Sequence, residues 1–479
     1  MLFNSLSFAI FLTIVFIIYW ALPHKFRWIV LLTSSLYFYM SWDVKYVLIL
    51  FFTTFISYAC ARGIERAEEK KKKKILLVSA LVAGLGCLFF FKYFNFASES
   101  IAKLLNLFTI QVHPVTMKIL LPVGISFYTF QTLGYVIDVY RGEVEAEKNF
   151  AKYATFISFF PQLVSGPIGR TKHLLPQILG EHKFDYDKAT EGLRLMAWGF
   201  FKKMVIADTL AVYVDTVYDS LRLYQGFPLL FVSVLYSIQI YCDFAGYSDI
   251  AIGTAKLFGI DLMKNFNSPY FSSSVKEFWS RWHISLSTWL RDYVYISLGG
   301  NRVSKSRNAF NLMATFLISG LWHGANWTYV FWGGIHGAAQ IIEKYLFSRD
   351  KNKKISKISW WCSVFCTFIF ATFAWIFFRA ENISDAFYVI GNMFQGITNP
   401  AVYVSQMSYL AIDKLTLLGM IVGIFLLTVH DYYSLKGDVF IKIKALKTPI
   451  RWCVYIAVVI FLIFNIPVTS GQEFIYFQF

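Results

Sequence analysis

Long apolar runs separated by short polar segments dominate the chain. A helix that spans a bilayer needs roughly 20 mostly apolar residues, fewer where neighbouring protein shields it. On that measure the candidate spans are 5–22, 28–42, 46–61, 75–94, 119–137, 153–168, 190–218, 226–250, 308–323, 326–346, 359–378, 411–430 and 450–467. Several are short or interrupted, so the pattern predicts about ten to twelve crossings. Pro and Gly break "FFPQLVSGPIG" (159–169), which reads as re-entrant; broken backbone at membrane depth survives only inside protein or beside a wet cavity. "FASESIAKLLNLF", within 95–118, predicts a short helix lying on the membrane surface. One stretch has a different rhythm. "KEFWSRWHISLSTWLRDYVY" (276–295) reads as one amphipathic helix, with Phe278, Trp279, Trp282, Leu286, Trp289 and Tyr293 on one face. Ser280, Arg281, Ser285, Thr288, Arg291 and Asp292 fall opposite, and His283 lies at the edge between them. Such a helix suits the membrane interface or the wall of a polar cavity. No internal or inverted repeat is visible.

Composition turns this pattern into a class. Of 479 residues, 57% are hydrophobic and 19% aromatic, while 15% are charged against about 25% in soluble domains. The expected fold is therefore an all-α polytopic membrane protein, a single integral membrane domain over 1–479. The net charge of +16 does not indicate nucleic acid, because the basic residues sit in short segments between apolar runs: "AEEKKKKK" (67–74), "RDKNKK" (349–354) and "KIKALK" (442–447). Cytoplasmic loops collect Lys and Arg in this way, and such segments also attract anionic lipid headgroups. Placing the lysine run inside and counting back three spans predicts an extracytoplasmic N-terminus. "MLFNSLSFAIFLTIVFIIYWAL" lacks a basic start and is too long for a cleaved signal, so it reads as a retained anchor. The six cysteines show no paired framework and read as small buried hydrophobes.

The candidate chemistry lies in histidines. His24, His113, His173 and His182 fall in loops or near charges, and His430 ends an apolar run beside Asp431. His323 and His336 differ, because each sits within or at the end of an apolar segment among Trp and Gly. An ionisable group at that depth is costly, faces the protein interior and often marks function. It can be a neutral core histidine bonded to a neighbouring helix, a proton shuttle, or a general base on a hydroxyl in acyl transfer. Composition does not choose among these. A metal site is not expected: there are no Cys pairs, no HExxH and no carboxylates at ligand spacing.

Four blocks carry a resemblance: "FWSRWHISLSTWLRDYVYISLGGNR" (278–302), "SGLWHGANWTYVFWGGIHG" (319–337), "LPVGISFYTFQTLGYVIDVYRG" (121–142) and "FFPQLVSGPIGR" (159–170). They resemble the membrane-bound O-acyltransferases, and best the bacterial branch that O-acetylates alginate and peptidoglycan or transfers D-alanine to teichoic acid. "YCDFAGYSDIAIGTAKLFGI" (241–260) and the tail "GQEFIYFQF" (471–479) match that branch too. The resemblance implies helices around a central funnel or tunnel, with a catalytic core over about 119–346. It implies a cytosolic acyl thioester donor, acetyl-coenzyme A or another, no bound cofactor, and an extracytoplasmic polysaccharide or cell-wall glycan as acceptor. It implies an extracytoplasmic SGNH-hydrolase-like partner and residence in the inner, cytoplasmic membrane. The family's catalytic histidine maps onto His323 and its second motif residue onto His283. His283 then orients the acyl carbonyl, stabilises the oxyanion, or fixes the tautomer of His323. His336, Trp322 and Asn326 become candidate tunnel or supporting residues, and Tyr476 of the aromatic tail a candidate acyl relay or partner contact. D-alanyl transfer from a carrier-protein thioester is the alternative. A transporter or flippase for a lipid-linked sugar is the rival from another class, kept open by Asp138, Asp208, Asp243 and Asp249 beside apolar segments.

Overall fold

The structure, a computed structural model, describes residues 1–347, 356–437, 439–464 and 474. Every regular element among the described residues is helical. Five helices are long and apolar enough to cross a membrane: Val44–Arg66, Lys70–Leu107, Phe227–Leu257, Lys357–Arg379 and Lys414–Ser434. Helices also form at most other predicted spans, among them Leu6–Ala21, His24–Met40, Lys305–His323 and Trp327–Leu346, but these fall short of that combined length and apolarity. Large apolar side chains stand exposed along them, such as Leu48 at 72% and Leu415 at 79%. In water that would be an aggregating surface; against lipid tails it is the expected one. The expectation of six buried cysteines is corrected: Cys362, Cys366 and Cys453 are exposed, whereas Cys60 and Cys242 are buried.

The chain divides into two compact units: Met1–Met196 with Ile250–Met263, and Ala197–Asp249 with Lys264–Phe479. In the first, the predicted interfacial helix is not separate. Phe94–Leu107 continues Lys70–Leu88 through a π-helical turn at Phe89–Tyr93. Nothing between Leu88 and Leu107 is Gly or Pro, so nothing stops the helix. The segment that carries Pro and Gly is interrupted in the structure. Phe150–Ser158 ends, Phe160–Leu163 makes one turn, and the chain then runs irregularly through buried Val164–Ile168. Helix ends leave carbonyls without helical partners. Here the Phe156 carbonyl accepts from both Gln131 Nε2 and Gln162 Nε2, each at 3.0 Å. Lys188 and Lys256 clasp Asp261 in the same unit; burial opposes its charge, but the two ammonium groups outweigh it and hold the carboxyl below its ordinary value.

The second unit contains the amphipathic stretch, and here the sequence expectation is corrected. Residues 276–295 are not one helix. Val275–Arg281 stops, His283 takes a left-handed conformation (φ 44°, ψ 53°), and Ile284–Leu290 starts afresh before a π-helical turn at Arg291–Tyr295. Both short helices still bury the predicted apolar face, including Phe278, Trp279, Leu286 and Trp289. The break turns the histidine at the edge of that face into a buried one.

Candidate active site

Helices Lys305–His323 and Trp327–Leu346 pack against each other as a hairpin. Their approach is closer than side chains permit. A Cβ on Gly320 would lie 2.2 Å from the Tyr329 carbonyl oxygen, and one on Gly333 would lie 2.4 Å from that of Phe316. Glycine at both positions lets the backbones touch. Asn326 caps the second helix: its Oδ1 accepts from the Thr328 N–H, and its Nδ2 donates to the Glu381 carbonyl. Its visible work is to fix the turn after His323.

His323 ends the first helix, 3% exposed. Its ring meets Trp322, Trp332 and Phe378 at centroid distances of 5.0, 5.1 and 5.2 Å. The His283 ring lies 6.2 Å away. Two residues 40 positions apart in sequence thus stand side by side, with the Trp322 ring 5.7 Å and the Phe244 ring 4.6 Å from His283.

His283 is fully buried. A non-glycine residue in the left-handed region costs about 1 kcal/mol or more and persists only when its surroundings impose it. Asn265 imposes it. The Ile284 N–H donates to the Asn265 carbonyl at 2.9 Å, and the Ser285 N–H and Oγ both donate to Asn265 Oδ1, at 3.2 and 2.7 Å. Because a backbone N–H can only donate, Oδ1 is an acceptor, and His283 Nδ1, 3.3 Å away, donates to it. The neutral ring therefore keeps its lone pair on Nε2. Burial alone pushes the pKa down to about 3, so the ring is neutral at physiological pH.

His336 is also fully buried, on the facing helix. The Trp279 indole donates to its Nδ1 at 3.1 Å. Trp332 stands between the two helical histidines, 5.1 Å from His323 and 4.9 Å from His336.

A cavity of about 1840 Å³ opens beside this group. It is larger than the 300–1,000 Å³ of a typical small-ligand pocket. Lys276, Arg291 and Lys344 line it among serines and threonines, together with Trp279 and Ser319. Trp279 bonds His336, and Ser319 lies one helical turn before His323. None of the three histidines lines it. Among the described residues, no three His, Cys, Asp or Glu side chains gather as a metal site would require.

The membrane-bound O-acyltransferase (MBOAT) family profile matches residues 144–384, which contain all of these histidines and the cavity. A probable alginate O-acetylase of Pseudomonas aeruginosa is 40% identical over 396 residues, covering 82% of this chain and 75% of that protein. The chain belongs to the membrane-bound O-acyltransferase family. It is an O-acyltransferase and a multi-pass membrane protein. A peptidoglycan O-acetyltransferase of Helicobacter pylori is 36% identical, covering 76% of this chain and 73% of that protein. A teichoic acid D-alanyltransferase of Streptococcus thermophilus is 32% identical over 54% of this chain and 67% of that protein.

This acyltransferase holds a second buried polar group in the same unit. Lys203 pairs with Asp243 at 2.7 Å and Asp208 at 2.8 Å, and Lys202 pairs with Asp249 at 2.6 Å. Tyr241 donates to Asp431 at 2.7 Å. Three of the four carboxylates that kept a transporter open are thus held in lysine pairs. Phe474 of the tail is buried against this group, its ring 4.4 Å from the Lys203 ammonium and 4.8 Å from the Tyr247 ring. Tyr476 and the basic run at 349–354 lie outside the described residues. Sequence reasoning missed Asn265 and Lys203. Asn265 gives no periodic signal, since it meets His283 across 18 residues and an irregular loop. Lys203 had one: two adjacent lysines inside an apolar run, in a chain with unpaired-looking aspartates.

Proposed function

We propose that the protein is an O-acetyltransferase of the cytoplasmic membrane, with an extracytoplasmic N-terminus. It takes an acetyl group from a cytosolic thioester, acetyl-coenzyme A, and delivers it through a tunnel between its helices to hydroxyls of an extracytoplasmic polysaccharide or cell-wall glycan. The observation that carries this reading is the pairing of buried His323 with buried His283, 6.2 Å between rings, in a chain of the O-acyltransferase family. The names of the more similar relatives support acetyl over D-alanyl transfer: the O-acetylating relatives are 36–40% identical, the D-alanyltransferases of Streptococcus thermophilus and Bacillus subtilis 32% and 27%.

The chemistry follows from the residues. His323 removes the proton of the attacking hydroxyl and returns it to the leaving sulfur, a step worth about 10²- to 10⁴-fold. His283, with its lone pair on Nε2, accepts a hydrogen bond rather than donating one. It therefore orients a hydroxyl or the His323 ring, and the oxyanion role falls to another group. The cations of the open cavity suit the phosphates of coenzyme A. Tyr476, two residues after buried Phe474, takes the relay role, because a phenol ester is a reactive acyl carrier. An extracytoplasmic SGNH-hydrolase-like partner completes delivery to the polymer. Inverted vesicles given labelled acetyl-coenzyme A test the proposal: label in a periplasmic-side glycan ester supports it, and label that stays on the thioester overturns it. In the same assay Tyr476→Phe stops delivery if the phenol is a relay and leaves it intact if the ring is only an anchor.

A further inference from the structure

The two histidines that flank His323 hold opposite tautomers. An indole N–H can only donate, so the Trp279 bond makes His336 Nδ1 an acceptor and puts the proton of the neutral ring on Nε2. Asn265 does the reverse to His283. His336 Nε2–H is buried and meets no acceptor among the described residues; the same is true of Trp332 Nε1–H, on the ring that separates His336 from His323. A buried donor without an acceptor destabilises the fold. The surroundings are Phe278, Phe316 and Phe370, an environment that a phenyl ring at 336 would suit. His336 and Trp332 thus keep buried N–H groups in the shell that holds the proposed general base, and a pair of such donors matches an oxygen that gains negative charge during reaction.

We infer that His336 Nε2–H, together with Trp332 Nε1–H on the ring 4.9 Å away, donates to the acyl carbonyl oxygen during transfer, and that Trp279 is the positioning residue that keeps the proton on that nitrogen. This rests on the reading of His323 as general base. The hydroxyl oxygen bonds to the thioester carbonyl carbon as its proton passes to His323. The carbonyl π pair moves onto oxygen, where His336 and Trp332 hold it. Collapse restores the carbonyl and breaks the C–S bond, and the sulfur leaves as thiol with the proton from His323. His283 lacks a free proton to offer and complements this arrangement by accepting.

The test uses membrane vesicles with matched amounts of full-length variants and labelled acetyl-coenzyme A. His336→Phe should lower kcat about 10²- to 10³-fold while KM for the donor stays within about 3-fold. His336→Gln, which restores an N–H, should recover at least about 10-fold of that loss. Trp279→Phe keeps a ring but releases the tautomer, and should cost about 10-fold in kcat. In the His336→Gln background Trp279→Phe should cost nothing further, because an amide has no tautomer to fix. Should His336→Phe fail to accumulate, the Trp279→Phe pair of measurements decides. Wild-type kcat in His336→Phe, a loss expressed in KM, or an equal cost of Trp279→Phe in both backgrounds overturns the inference. If His323→Ala is dead while His336→Phe is normal, only this inference fails; if His323→Ala stays active, the general-base reading fails first.

Discussion

One unit of the protein buries two polar groups, and they are built on opposite rules. Around Lys202 and Lys203, ammonium meets carboxylate at 2.6–2.8 Å. Around His323, imidazole and indole rings stand 5–6 Å apart within an aromatic shell. The first group neutralises its own charges, as buried ions must. In the second, His336 Nε2 and Trp332 Nε1 meet no partner among the described residues, at some cost to the fold. Helix Phe227–Leu257 serves both, with Asp243 on Lys203 and Phe244 against His283. On the proposed function, the first group serves stability and the second serves reaction.

That division predicts different losses. His323→Ala should lower acyl transfer about 10²- to 10⁴-fold with normal insertion; wild-type transfer would remove the reactive label from that group. Lys203→Met leaves two aspartates without their cation and should destabilise by about 3–5 kcal/mol, read as a lower unfolding temperature and poor accumulation. Acid pH gives a subtler comparison. The folded His283 pKa, about 3, lies below its ordinary 6.5. Between those values the unfolded chain binds a proton that the folded chain does not. Stability contributed by this site is thus complete above pH about 6.5 and declines below it, by about 1.4 kcal/mol per pH unit. His283→Gln should flatten that acid limb by one proton in melts at pH 7.5 and 5.5. The smallest effect belongs to the open cavity: Lys276→Gln, Arg291→Gln or Lys344→Gln should each raise the donor KM about 2- to 5-fold, less in high salt.

Much of the architecture was legible because lipid imposes a coarse rule. Apolar runs become helices, and Pro and Gly break them, as at 159–169. The blocks around His283 and His323 also pointed to the family. The rest depended on partners remote in sequence. The break at His283 needs Asn265, which no 3.6-residue period reveals. The left-handed residue looks like ordinary helix in sequence, since its neighbours keep the amphipathic spacing on both sides. The continuity of Lys70–Leu107 is not apparent from the apolar pattern, because polarity without a breaker changes the hydropathy but does not end a helix. The tautomers of His283 and His336 are invisible until their donors and acceptors are in place.

The central claim is best tested by measuring two quantities on one preparation of each variant: turnover per folded molecule and unfolding temperature, for His323→Ala and Lys203→Met. The account predicts that the results cross, with His323→Ala inactive but as stable as the parent, and Lys203→Met unstable but active in whatever fraction folds. A His323→Ala protein that unfolds early while each folded molecule still transfers acyl groups would contradict it.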